Sequence, residues 1–115
     1  GKPLVVMGDF NTAPEAIDLA HPKPNAKNSG FLPEERADLA RLMKLGFVDT
    51  FRALHPATVK YSWWRNWPGM REKNVGWRID AVWVSTELMP RVKDAFILDA
   101  VTGSDHCPVG ISLAP

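Results

Sequence analysis

The chain has 115 residues, 45% of them hydrophobic and 23% charged, and its 14 basic and 13 acidic side chains leave a net charge of +1. This length bounds it to one domain, residues 1–115, of ordinary globular make-up, and the near balance of charge excludes a bulk electrostatic pull toward nucleic acid. The single cysteine excludes an intrachain disulfide and fits a reducing, cytoplasmic setting, and no apolar stretch reaches the roughly 18 residues of a membrane span.

Residues 3–7 predict a strand apolar on both faces, hence central and covered on both sides. Asp9 and Asn11 follow at its C-terminal end. The Asn11-Thr12 pair also precedes Pro14-Glu15 and fits a helix cap, so a purely structural role stays open. A short helix is expected over 15–20, then an irregular stretch over 21–32. The latter carries Asn25, Lys27 and Asn28, suited to phosphate contacts or simply to a solvated loop. Pro33 opens the clearest helix, over 33–45: Glu34 and Glu35 complement its N-terminus, Leu39, Leu42 and Met43 form its apolar stripe, and Gly46 stops it. Phe47 to Phe51 leads into a turn of helix ending at His55-Pro56.

A strand is expected over 59–64. From Lys60 to Arg78 five basic residues (Lys60, Arg65, Arg71, Lys73, Arg78) meet one acid, Glu72, and four of the five tryptophans. Cations interleaved with aromatic rings suit nucleic acid, the cations pairing phosphates and the rings stacking or wedging. The other use of a tryptophan is core, and that is the expectation for Trp64; Trp67, between Asn66 and Pro68-Gly69, sits in a turn and is expected exposed. Residues 77–84 predict a second central strand, with Ile79, Ala81 and Trp83 on one face and Asp80, Val82 and Val84 on the other. A helical turn from Thr86 to Pro90, a strand over 92–100 and a loop over 101–107 follow. That loop holds Gly103-Ser104-Asp105-His106-Cys107-Pro108 and feeds the alternating strand 109–113. Cys107 reads as a small buried filler.

Asp80 lies inside an apolar strand, and a buried carboxylate needs a partner, for which an imidazole is the obvious candidate. Gly8-Asp9-Phe10-Asn11, Gly76-Trp77-Arg78-Ile79-Asp80 and Gly103-Ser104-Asp105-His106 stand in the order seen in the endonuclease/exonuclease/phosphatase superfamily, and the chain most resembles its exonuclease III-type apurinic/apyrimidinic endonucleases. Residues 22–31 and Tyr61-Ser62-Trp63-Trp64 share the likeness, which covers essentially the whole chain but only the C-terminal half of the family's domain.

The resemblance implies an α+β fold, half of a four-layer αββα sandwich with one sheet covered by helices on one face. It implies Mg²⁺-dependent (or Mn²⁺-dependent) hydrolysis of a DNA phosphodiester, at an abasic site or a 3′ end. Asp9 and Asn11 would handle the attacking water or a metal, Asp105 would be a metal ligand, and Asp80 would fix the tautomer of His106 on the phosphate. Trp63, Trp77 and Ile79 would line an abasic-sugar pocket, Trp67 would wedge the duplex, and Asn25, Lys27, Asn28, Arg71 and Lys73 would contact DNA. The half-domain likeness leaves out a metal-binding glutamate, so a DNA-binding module with weak or no catalysis is the main alternative, and another phosphoesterase of the superfamily the second. Because the two expected helices cover one sheet face only, a homodimer packed sheet against sheet is also expected.

Overall fold

The computed structural model describes residues 2–115. In chain order the elements are β1 (Val5–Asp9), α1 (Pro33–Lys44), β2 (Phe47–Asp49), α2 (Thr50–Leu54), β3 (Trp63–Trp64), β4 (Gly76–Trp77), β5 (Asp80–Ser85), β6 (Val92–Ile97) and β7 (Val109–Leu113). Single 3₁₀ turns occupy Ala16–Asp18, within the stretch expected as helix, and Thr86–Arg91. The fold is α+β, but the one sheet expected is divided among the described residues into three antiparallel ones, ordered β1-β5-β2, β3-β4 and β6-β7.

β5 is the organising strand, and its alternation holds in three dimensions. Ala81 and Trp83 turn toward Leu39 of α1, with Phe10, Leu42 and Phe47 around them. Val82 and Val84 turn the other way, onto Leu88, Val92, Val109 and Ile111. Burying a side chain of the size of Leu39 stabilises by about 2 kcal/mol, which is how the 3.6-residue stripe of α1 finds its place. The hairpin β6–β7 thus covers the face that was expected to stay bare. A third cluster, Phe51, Tyr61, Trp64, Ala95, Ile97 and Cys107, continues the core beneath it.

Two expectations fail here for one reason. β1 is not central: it pairs with β5 alone, at the sheet's edge, and every residue of it is exposed. The dimer argument, built on a bare face of β5, loses its footing because β6 and β7 fold back over that face. Apolar periodicity reports which residues seek cover and is silent on which distant strand supplies it. A run of exposed apolar side chains remains along β1 and just before it, on Leu4, Val5, Val6 and Met7.

Candidate active site

The site forms where β1 and β5 begin to separate. Their antiparallel register sets Asp9 directly opposite Asp80. Two carboxylates facing each other across strands repel, so this arrangement calls for positive charge between them. His106 supplies it. Its Nδ1 lies 2.8 Å from Asp80 Oδ2 and its Nε2 3.8 Å from Asp9 Oδ2. An ionised carboxylate only accepts, so Nδ1 carries the proton and donates to Asp80, which leaves Nε2 directed to the open side. Burial works to lower the imidazole pKa, but the Asp80 hydrogen bond and charge, then Asp9 and Asp105, outweigh it and hold it above the ordinary value.

Each side chain is fixed by its own local structure. Asp9 Oδ1 accepts from the Asn11 backbone N–H at 2.8 Å, within a turn that puts Asn11 in the left-handed region at φ 52°. Asparagine tolerates that conformation better than most residues. The start of β5 is held by Ser62, whose fully buried hydroxyl accepts from the N–H groups of Ile79 and Asp80, both at 3.0 Å. His106 is brought in by a bridge to Trp63, and the Cys107 N–H donates to the Ser62 carbonyl. Asp105 points elsewhere: its carboxylate accepts from the Trp63 indole at 3.1 Å. That bond outweighs the small opposing effect of burial and, with His106, holds the Asp105 pKa low.

Beside the imidazole lies a cleft of about 450 Å³ lined by Asn11, Ser29, Gly30, Trp63, Arg65, Trp77, Ile79 and His106. Five of these were expected from the sequence; Ser29, Gly30 and Arg65 were not. Gly30 is required twice over, since it sits at φ 99° and an added Cβ would come within 2.7 Å of the Trp77 ring. Glu35, in the first turn of α1, accepts from the Gly30 and Leu32 N–H groups and so fixes that wall of the cleft. Trp67 is 60% exposed, with the Arg65 guanidinium 4.4 Å over its ring, whereas Trp64 is core, as expected. Lys73 and Lys27 are exposed. The amides of Asn25 and Asn28 hold their own turns, on the His21 and Pro24 carbonyls. Arg71 spends its donors on three backbone carbonyls.

Next to the site is a second charged cluster that sequence reasoning missed. Arg78, 1% exposed, donates to Asp18 and to both oxygens of Asp49, at 2.6 to 3.1 Å. Arg52 adds a 2.6 Å contact to Asp18. Burial opposes the charge on Arg78, but Asp49 and Asp18 outweigh it and keep the guanidinium charged. Cys107 is buried and its thiol is pushed up to about 11 by that burial, which suits a filler rather than a nucleophile.

Asp9, Asp80 and His106 offer ligand atoms within 4.8 Å of one another, close enough to share a metal ion. Two carboxylates are hard oxygen donors of the kind Mg²⁺ takes. Of the expected carboxylate ligands, Asp9 belongs to this group and Asp105 does not.

The family model of the Endonuclease/Exonuclease/phosphatase family matches residues 1–106. The chain belongs to this family. It is 46% identical over 114 residues to the DNA repair nuclease APEX1 of Danio rerio, covering 98% of this chain and 37% of that protein. With an exodeoxyribonuclease of Bacillus subtilis it shares 47% identity over 109 residues, 94% of this chain and 43% of the relative. The solved 3′ phosphatase NExo from Neisseria, bound to a product DNA hairpin, superposes with a TM-score of 0.91 at 30% identity, over 96% of this chain and 45% of that one. The chain therefore spans less than half the length of these family members.

Proposed function

We propose that the chain carries the phosphate-facing half of a DNA phosphodiesterase that cuts at an abasic site or trims a 3′ end. The observation that carries this reading is His106, held between Asp9 and Asp80 at the mouth of a tryptophan-walled cleft. Hydrolysis forms a bond from water oxygen to phosphorus, breaks the ester P–O bond and moves the water's proton away. Asp9 has one oxygen engaged by the Asn11 N–H, and the other, 3.8 Å from His106 Nε2 and outside hydrogen-bond reach of it, orients the water and accepts its hydrogen. His106, held charged by its carboxylate neighbours, contacts a non-bridging phosphate oxygen through Nε2, while Asp80 fixes the ring. Trp63, Trp77 and Ile79 receive the sugar lacking its base, and Trp67 reaches toward the duplex. Asp9 and Asp80 would hold Mg²⁺, which when bound offsets negative charge on the phosphate and the leaving oxygen.

The test is nicking of a duplex with a single abasic site, with and without Mg²⁺. Cutting that needs the metal supports the reading. Binding without cutting favours a DNA-binding half-domain, which the chain's coverage of 37% of one relative makes the specific second reading. Full activity in this proposal also needs a further polypeptide segment laid against the exposed edge strand β1. Solution mass across a dilution series, followed together with activity, tests that; a monomer cutting at full rate overturns it.

A further inference from the structure

Arg71 lies in the basic, tryptophan-rich stretch and by composition looks like a phosphate contact, but its guanidinium is turned inward. One terminal nitrogen donates to the Ser104 carbonyl at 3.0 Å, and the other to those of Asp99 and Val101 at 3.1 and 2.7 Å. The planar group stacks 4.2 Å over the ring of Trp64, which is itself buried and donates from its indole N–H to Asn74 at 2.9 Å. The segment so gripped, from Asp99 to Asp105, is exposed at every residue. Its other ties sit at its two ends or are local: Lys60 lies 3.6 Å from the Asp99 carboxylate, the Val101 N–H reaches the Leu98 carbonyl, and Asp105 accepts the Trp64 N–H on its carbonyl and the Trp63 indole on its carboxylate. Ser104, whose carbonyl Arg71 holds, accepts the His106 N–H on its hydroxyl at 3.1 Å. One charged fork therefore fixes both arms of the loop that delivers His106.

We propose that Arg71 is a positioning residue, a clamp joining the 65–75 loop to the 99–105 loop so that His106 meets the phosphate in register, and that it makes no DNA contact of its own. The proposal rests on the phosphodiesterase reading only for its kinetic consequence; the clamp is a property of the free chain. A fork donating to three carbonyls cannot be replaced by an ammonium, whereas a phosphate contact can be, at least in charge.

The experiment compares the parent with Arg71→Lys, Arg71→Ala and Lys73→Gln. Amide hydrogen exchange of residues 99–107 is measured on the free chain, with β5 as internal reference, and kcat, KM and the salt dependence of duplex binding are measured beside it. In Arg71→Lys, exchange across 99–107 should rise about tenfold or more while β5 stays protected. Its kcat should fall about tenfold, with KM and salt slope unchanged. Lys73→Gln should do the reverse, lowering the salt slope by about one and leaving exchange alone. If Arg71→Lys unsettles the fold, Arg71→Ala with ethylguanidinium added back should recover the protection of the loop. Parent-like exchange in Arg71→Lys, or a salt slope reduced by about one in either Arg71 variant, overturns the clamp. A parent that neither binds nor cuts DNA overturns the functional reading instead, and the exchange result still decides the clamp.

Discussion

Arg78 and Asp80, two residues apart, anchor two clusters made of the same chemistry with opposite outcomes. Around Arg78 two aspartates face two arginines, all bonded at 3.1 Å or less, with Arg78 and Asp18 fully buried and Asp49 and Arg52 nearly so. Around Asp80 the count does not balance. Asp9 and Asp80 flank a single imidazole, with Asp105 adjoining it in the chain, and the Asp9 and His106 side chains are 37% and 32% exposed. A balanced, mostly buried set of charges is closed on itself and acts as a rivet between the 16–18 turn, the junction of β2 with α2, and the link from β4 to β5. An unbalanced, half-open set retains unspent acceptors and one mobile proton, which is what binding a cation and a phosphate requires.

The largest effect should come from unbalancing the open cluster further. His106→Ala removes the charge between two carboxylates and should cut the nicking rate by about 10²–10⁴-fold. The urea midpoint should hardly move, because the ring is partly exposed and closes no core. A variant that nicks like the parent would place the chemistry elsewhere.

The closed cluster should show the opposite pattern. Arg78→Met strands Asp49 and leaves Asp18 to Arg52 alone, in a space built for counter-charge, and breaking a buried pair this way costs about 3–5 kcal/mol. Equilibrium urea unfolding measures it. A loss below about 1 kcal/mol would mean that water reaches the aspartates and that the cluster is no rivet.

That contrast also marks what could be read in the sequence. Asp9 and Asp80 were legible because each ends or interrupts an apolar run, where an ionisable group must be answered by something, and His106 because it stands beside Asp105 on a loop feeding a strand. Helix α1 was legible from Pro33, its acidic first turn and Gly46. The partners of Arg78 were not, since they lie 60 and 29 residues away and nothing in a periodic pattern names a partner. The inward turn of Arg71 was hidden for a related reason: a basic residue among tryptophans reads the same whether it faces phosphates or backbone carbonyls. The edge position of β1 was hidden because apolar residues on both faces describe a strand that needs cover, with or without a neighbour present to give it.

The smallest effect, and the finest test of the open cluster, is the pH dependence of stability. The folded His106 pKa is raised, so the folded state binds its proton more tightly than the unfolded chain does. The stabilisation is therefore fully present below the ordinary histidine value of about 6.5 and is lost as pH rises through the raised folded value. His106→Asn keeps a polar group at the position and cannot titrate. Urea unfolding of both proteins with chelator present, at roughly pH 5.5 and pH 8.5, should show the parent's advantage over the variant shrinking at the higher pH. Asp80→Asn, which removes the neighbour that raises the pKa most, should leave a smaller advantage at pH 5.5 and a flatter decline. An advantage equal at both pH values would show that the two carboxylates do not hold a charged imidazole, and the phosphate-facing role of Nε2 would fall with it.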